Sequence, residues 1–192
     1  GIDAVIVADP GFIQEIHNAG LGVKIHLSTQ ANTTNASAVQ FWANQGVERI
    51  VLARELNLLQ ISEIRKAVEG VELEAFIHGA MCMAYSGRCL ISKHFTGRHA
   101  NRGECAHPCR WKYFLTEEED KGRVLEIEGN ERGTYIMNSR DLCMIGHIPE
   151  LLSAGLSSLK IEGRMKSPYY VAIVTKMYRQ AIDLYCTNPD NY

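Results

Sequence analysis

Residues 74–109, EAFIHGAMCMAYSGRCLISKHFTGRHANRGECAHPC, interrupt an otherwise regular sequence. The short run 73–77 is apolar except for Glu74, and it ends in His78, Gly79 and Ala80. Four of the six cysteines of the chain follow within 28 residues, namely Cys82, Cys89, Cys105 and Cys109. A stretch of this kind inside a regular scaffold is typical of a functional insertion.

On both sides of this stretch, β-rich apolar runs alternate with helix-like runs. The pattern predicts strands at 4–8, 24–27, 49–53, 73–77 and 159–162, and helices at 10–19, 34–44, 58–68, 148–154 and 168–185. Two further short strands are predicted at 124–127 and 135–138, the first in a hairpin that turns at 129–130. Alternating strands and helices favour a parallel sheet with right-handed crossovers.

The number of repeating units suggests an incomplete barrel. Only about five strand–helix units are visible, whereas a full eight-unit barrel takes about 200–250 residues. We therefore predict an α/β fold: a partial TIM-barrel-like (β/α) domain of about strands four to eight, belonging to a longer chain. The cysteine-rich insertion is predicted at 79–133, after the penultimate strand, and the final βα units at 134–192 of this single catalytic-type domain. A smaller open sheet is the alternative.

Composition narrows the class of protein. The chain has 192 residues, is 46% hydrophobic and carries a net charge of −2. That balance gives no global electrostatic case for a nucleic-acid or membrane partner. No apolar run approaches the roughly 18 residues of a membrane span, and no signal peptide is recognisable. We expect a cytoplasmic protein without a membrane partner.

The cysteines are expected to be reduced thiols, because disulfides are rare in the cytoplasm. Clustered thiols then favour a metal site or thiol chemistry over disulfides. Structural zinc sites usually use close cysteine pairs, and only Cys105 and Cys109 have that spacing. The irregular spacing favours a cluster held by loops, with buried unliganded thiols and a catalytic thiol as alternatives. Cys186, alone in the last helix, is expected to be unliganded.

Several polar residues stand where predicted strands end, which is where α/β enzymes keep their sites. His78 directly follows a strand and is a candidate catalytic residue, with a structural histidine as the alternative. Glu74, in the same strand, is a second candidate; it would point into a barrel interior and, as a buried carboxylate, needs a partner. Arg54, Arg164 and Lys160 are the candidate partners. Ser28, Thr29 and Gln30 end another strand, either as substrate contacts or as a helix cap.

Two groups of residues are candidates for substrate binding. Lys160, Glu162 and Arg164 surround the end of the last strand, and the guanidinium of Arg164 suits carboxylate recognition, with a surface salt bridge as the alternative. Residues 93–112 contain five cations and one acid, Glu104. The cations of this basic stretch include Arg102 and Arg110. Trp111 and Tyr113 at its end could stack on a base, so the stretch is a candidate RNA-docking loop, with a solvated loop as the alternative.

Four segments carry a resemblance to a known family. They are Glu74-x-Phe76-x-His78-Gly79-Ala80-Met81-Cys82-x4-Gly87-x-Cys89-Leu90-Ile91-Ser92, then Asn101-Arg102-Gly103-x-Cys105-x3-Cys109-Arg110-Trp111-x-Tyr113, then Asn138-Ser139-Arg140-Asp141-Leu142, and last Lys160-Ile161-Glu162-Gly163-Arg164-Met165-Lys166. They resemble the conserved blocks of the collagenase-like peptidase family, peptidase family U32. The resemblance spans nearly the whole chain, and its first two segments are the specific ones.

The resemblance implies both a cofactor and a reaction. Studied members of the family are prephenate-dependent or oxygen-independent hydroxylation proteins that carry a [4Fe–4S] cluster on four cysteines. Carried over by position, the ligands are Cys82, Cys89, Cys143 and one of Cys105 or Cys109, with Cys105 favoured. The segments are most similar to the branch that hydroxylates the tRNA wobble uridine to 5-hydroxyuridine. Ribosomal RNA and ubiquinone precursors are the alternative substrates.

The family name implies a peptidase, but the residues do not support one. The chain has no recognisable Ser-His-Asp order, no HExxH motif and no framed pair of aspartates. We therefore expect an RNA-modifying hydroxylation enzyme with tRNA as its partner and prephenate as a co-substrate. A collagenase-like peptidase and a zinc-binding scaffold remain as alternatives. A paired family homologue or a homo-oligomer is a further expectation.

Overall fold

The computed structural model describes residues 1–82, 84–85, 88–111, 114–116, 124–126 and 141–191. The predicted strand at 135–138, the predicted turn at 129–130 and Tyr113 lie outside these residues. The described chain divides into two compact units. The first consists of residues 1–79 and 142–192, and the second of residues 80–141.

The first unit is an α/β sheet with helices. Its strands are β1 (Ala4–Val7), β2 (Lys24–Leu27), β3 (Arg49–Val51), β4 (Glu72–Gly79), β7 (Leu142–Cys143) and β8 (Ser158–Ile161). Its α-helices are α1 (Pro10–Asn18), α2 (Ala36–Asn44), α3 (Leu58–Ala67), α5 (Ile148–Ser153) and α6 (Pro168–Thr187). The predicted alternation of strands and helices is therefore confirmed on both sides of the cysteine-rich stretch.

The sheet order is β1-β2-β3-β4-β7, and β8 also pairs with β4. The pairs β1–β2, β2–β3, β3–β4 and β4–β8 are parallel, and the two-residue strand β7 is antiparallel to β4. Strand β7 was not predicted from the sequence. Within the described residues β1 lies at one edge of this sheet, so barrel closure remains a prediction.

Side chains of strand β4 alternate between the two faces of the sheet. Leu73, Ala75 and Ile77 are buried in apolar clusters with the helices. Successive side chains of a strand point to opposite faces, so Glu74 and Phe76 point to the other one, and the pairing with β8 shifts register between Phe76 and His78. The apolar clusters hold the strand in register, and its polar residues form the face where the candidate site lies.

Local sequence signals explain where the helices begin. Asp9 accepts a hydrogen bond from the Phe12 N–H at 2.8 Å, next to a proline in the first turn of α1. Helix α3 begins with a reciprocal capping box between Asn57 and Gln60, at 2.9 Å in both directions. Ser167 caps α6 in the same way as Asp9 caps α1. Each cap satisfies N–H groups that the helix itself leaves unpaired.

The last helix packs on a different face from the predicted one. The predicted face was Tyr170, Ile173, Val174, Met177, Ala181 and Leu184. Val174 and Ala181 do pack against the core, but Ile173, Met177 and Leu184 are 42–51% exposed. The central buried residue is Tyr178, which is 3% exposed. Because α6 has apolar residues around much of its circumference, the helical period alone did not identify its buried face.

The second unit contains the cysteine-rich stretch. Its elements are α4 (Ile91–Thr96), 3-10 turns at Ala100–Arg102 and Pro108–Arg110, and the antiparallel pair β5 (Phe114–Thr116) and β6 (Val124–Glu126). The predicted strand at 124–127 thus pairs with a segment that precedes the acidic run 117–120. Across the described ranges, no helix combines the length and apolar character that crossing a bilayer requires.

Candidate functional site

Glu74 forms the centre of a charged cluster on the polar face of the sheet. The residue is only 7% exposed. Its Oε1 lies 3.0 Å from Lys160 Nζ on β8, and its Oε2 lies 3.5 Å from Arg49 Nη1 on β3. Ser158 adds a side-chain hydrogen bond. Lys160 was one of the three cations predicted as partners of Glu74.

These contacts keep the buried carboxylate ionised. Burial acts to raise the pKa of Glu74, but Lys160, the Ser158 hydrogen bond and Arg49 together outweigh it. The pKa of Glu74 therefore lies below its ordinary value. A buried charge of this kind is stable only when its partners compensate the lost hydration.

Arg49 and His26 extend this cluster, and neither residue was predicted from the sequence. The backbones of both are paired in the parallel ladder of β2 and β3. Burial lowers the pKa of His26, and the positive charge of Arg49 lowers it further against the opposing carboxylates. The sequence did contain a signal for these two residues, because the alternation of side chains along a strand places a charged residue on the face opposite the apolar ones. The sequence alone could not tell which face they share.

Arg54, another of the cations predicted as partners of Glu74, contacts Glu162. Its Nη2 lies 3.9 Å from Glu162 Oε2, and its guanidinium carbon lies 3.8 Å above the Phe76 ring. Lys160 Nζ approaches the same ring at 5.4 Å. Arg54 follows β3, and stacking on Phe76 directs it across β4 towards the end of β8. Two cations therefore approach the ring of Phe76, which lies between Glu74 and His78 on the strand.

Glu162 also organises the turn after β8. Its Oε1 accepts a hydrogen bond from the Arg164 backbone N–H at 3.0 Å. Gly79 at the end of β4 has φ +102°, and a Cβ there would lie 2.3 Å from the Glu162 carbonyl oxygen. Only glycine allows this approach. The predicted substrate-binding residues Lys160, Glu162 and Arg164 therefore border the predicted catalytic strand, with Arg164 exposed.

His78 lies at a junction of β4, β7 and α6. Its backbone is paired with Cys143 in the antiparallel ladder. Its Nδ1 lies 3.3 Å from the hydroxyl oxygen of Tyr178, and the Tyr170 ring centroid lies 5.9 Å from that of the imidazole. The first unit thus brings together His78 and Cys143, which the sequence analysis had assigned to different roles.

The remaining candidate ligands lie in the second unit. Burial raises the pKa of the Cys109 thiol; Arg110 opposes this rise, while Cys105, Cys82 and Cys89 add to it. Cys105 Sγ also accepts a hydrogen bond from the His107 backbone N–H at 3.4 Å. All six cysteines of the chain are free thiols, and Cys186 is exposed on α6.

The donor chemistry of these thiols fits a soft metal or an iron–sulfur cluster, since both take thiolate ligands. In the part of the chain that the structure describes, no group of three or more His, Cys, Asp or Glu side chains is arranged to hold a metal ion.

Arg110 ties together the loops of the second unit. Its guanidinium donates to the Met81 carbonyl at 3.2 Å and forms an ion pair with Asp141 at 2.9 Å. Arg102 is exposed in its 3-10 turn, and Trp111 is 45% exposed beside Phe95. Of the two predicted RNA contacts, Arg102 therefore presents its charge to solvent and Arg110 has partners within the unit.

Relatives of the chain carry names that refer to RNA hydroxylation. It is 47% identical to "tRNA hydroxylation protein P1" of Bacillus subtilis (strain 168), with 100% of this chain and 45% of the relative covered. It is 41% identical to "tRNA hydroxylation protein P" of Escherichia coli (strain K12), covering 95% and 49%. It is also 41% identical to "23S rRNA 5-hydroxycytidine C2501 synthase" of the same strain, covering 95% and 26%.

The chain spans about half the length, or less, of these relatives. The sequence pattern described as "Peptidase family U32" matches residues 1–192, which is the whole chain. That match agrees with the four segments from which the resemblance was drawn. The chain therefore belongs to peptidase family U32.

Proposed function

We propose that this chain is the part of an RNA-hydroxylating enzyme that binds a [4Fe–4S] cluster, with the wobble uridine of tRNA as its substrate. The observation that carries the proposal is the set of four free thiols within 28 residues of the second unit. In a relative of proteins named for tRNA hydroxylation, such a group supports a redox cofactor better than it supports peptide hydrolysis. A tRNA substrate would also place the protein in the cytoplasm.

The proposed cluster ligands are Cys82, Cys89, Cys105 and Cys143, with Cys109 as the alternative to Cys105. The N–H···S hydrogen bond from His107 supports Cys105, because such bonds stabilise a thiolate and tune a bound cluster. When bound, the cluster would supply one-electron redox chemistry.

The polar face of the first unit is proposed to bind the co-substrate, prephenate, which carries two carboxylates. Arg164 is exposed after β8 and has the planar fork that suits a carboxylate. Lys160 is a compact second charge, held in place by Glu74 at 3.0 Å. Glu74 therefore acts through Lys160, and His78 at the end of the same strand is the proposed group that accepts or donates a proton.

The basic stretch of the second unit is proposed to dock RNA. Arg102 is exposed to pair with phosphates, and Trp111 presents 45% of its surface for stacking. Counterion release would make this binding weaken with added salt.

Nucleoside analysis of tRNA tests the substrate. In a strain that lacks the gene, 5-hydroxyuridine derivatives should disappear, and the intact gene should restore them. A gene with Cys82→Ala should fail to restore them, whereas Cys186→Ala should succeed, because Cys186 lies exposed on α6. Unchanged 5-hydroxyuridine derivatives in the deletion strain would reject tRNA as the substrate.

Metal analysis tests the cofactor independently of activity. Anaerobically purified full-length protein should be brown and contain iron and sulfide. Cys143→Ala should lose the iron, and Cys109→Ala should keep it if Cys105 is the fourth ligand. Zinc without iron, or colourless protein after anaerobic reconstitution, would reject the cluster.

A further inference from the structure

The hydroxyl group of Tyr178 is surrounded by four polar groups at the junction of three elements. Its oxygen lies 2.8 Å from the Ile77 carbonyl oxygen, 2.9 Å from the Met144 backbone nitrogen and 3.3 Å from His78 Nδ1. The side chain of Cys143 is a further hydrogen-bond partner. The tyrosine is only 3% exposed, so these groups, and not solvent, decide how its proton and lone pairs are used.

A phenolic hydroxyl has one proton to donate and otherwise accepts hydrogen bonds. The Ile77 carbonyl can only accept, and at 2.8 Å it is the nearest acceptor of the Tyr178 proton. The Met144 N–H can only donate. It donates both to the Tyr178 hydroxyl oxygen and to the Ile77 carbonyl oxygen.

His78 must then act as a donor at Nδ1. The one proton of Tyr178 has a better acceptor than the imidazole, which is the most distant of the three measured partners. Because the single proton of Tyr178 is used elsewhere, a hydrogen bond between Tyr178 and His78 requires a hydrogen on Nδ1.

We propose that Tyr178 is a positioning residue that holds neutral His78 as its Nδ1–H tautomer, so that Nε2 carries the lone pair. The same hydroxyl links β4 to β7, which bears Cys143, through the Met144 N–H. The use of this tautomer in RNA hydroxylation rests on the proposed function, but the tautomer itself does not.

Nitrogen NMR of histidine-labelled protein tests the proposal without cluster, RNA or activity. Long-range nitrogen–proton spectra are recorded at a pH where imidazoles are neutral, and the His78 signals are assigned from the His78→Gln variant. The expected result is a pyrrole-type shift for Nδ1 and a pyridine-type shift for Nε2. The reverse pattern would overturn the proposal, whether or not the protein modifies tRNA.

A pair of matched variants shows whether Tyr178 is the cause. Tyr178→Phe should move Nδ1 of His78 most of the way towards the pyridine-type shift, because the Nε2–H form predominates in unconstrained histidine. Tyr170→Phe removes a hydroxyl from the same helix, beside the same imidazole, and should leave the shifts of His78 unchanged. An unchanged Nδ1 shift in folded Tyr178→Phe would reject the role of Tyr178. If that variant does not fold, the spectrum of the unsubstituted protein still decides the tautomer.

Discussion

Replacing Lys160 by methionine should destabilise the protein more than replacing Glu74 by glutamine. Removing one partner of a buried ion pair costs about 3–5 kcal/mol, because the other charge remains buried. Arg49 still lies 3.5 Å from Glu74 in Lys160→Met, so we expect the lower end, about 3 kcal/mol. Glu74→Gln instead leaves two cations whose side chains are 27% and 29% exposed. Water reaches them, and the amide still accepts hydrogen bonds, so we expect about 1–2 kcal/mol.

Urea unfolding measures both losses as changes in the free energy of unfolding. The double variant should lose less than the sum of the two, because a neutral side chain at 74 no longer needs Lys160. If Glu74→Gln is as damaging as Lys160→Met, or more so, the account of Glu74 as a buried, compensated charge is wrong.

The pH dependence of stability provides a second measure of the same contact. The pKa of Glu74 is lower in the folded protein than its ordinary value of 4.5. Its stabilising contribution is therefore complete above about pH 4.5 and is lost as the pH falls through the folded-state pKa. Glu74→Gln should lack this part of the acid destabilisation, whereas the other carboxylates continue to titrate in both proteins.

Three further predictions concern the turns and the thiols. In thermal unfolding, Gly79→Ala should lower the unfolding free energy by about 2 kcal/mol or more, because a Cβ there would meet a carbonyl oxygen at 2.3 Å and the backbone has φ +102°. Gly70→Ala is the matched control. Position 70 has φ +77° but nothing within 4 Å of the added Cβ, so this variant should cost only about 1 kcal/mol in the same assay. Asn57→Ala removes the capping box of α3 and should lower the unfolding free energy by about 1 kcal/mol in urea; no change would mean that packing alone sets the start of that helix. Cys109 has a raised pKa and should react with iodoacetamide at neutral pH more slowly than exposed Cys186; equal rates, read by peptide mass spectrometry, would contradict its burial and charge environment.

The sequence was most informative where local chemistry and periodicity agree. The four predicted strands before the cysteine stretch match β1 to β4 closely, because each is a short apolar run between helix caps and glycines. Lys160 could be predicted as a partner of Glu74, because both are polar residues inside strands. The strands and their caps depend on residues that are neighbours in the chain, and such neighbours can be read from the sequence.

Contacts between distant elements could not be predicted in the same way. Strand β7 consists of two residues, too short for a periodic signal, and its pairing depends on β4 and Tyr178. Tyr178 itself was missed because α6 has apolar residues on several sides, so the buried stripe follows from its neighbours and not from its period. Arg49 stood at the predicted start of a strand, and only the ladder of β3 and β4 brings it to Glu74.

The alternation within β4 explains why packing of the core also fixes the site. Glu74 and Phe76 occupy one face, whereas His78 follows a shift in the pairing of β4 with β8. Each of the three has its own partner: the Lys160 ammonium, the Arg54 guanidinium and the Tyr178 hydroxyl. A slip of one residue would move the carboxylate into the apolar clusters and expose the core side chains. The apolar side chains of β4 therefore impose the register that places a carboxylate and an aromatic ring together on the polar face. The positions of these two groups follow from hydrophobic burial on the opposite face, and contacts from α6 orient the imidazole at the end of the strand.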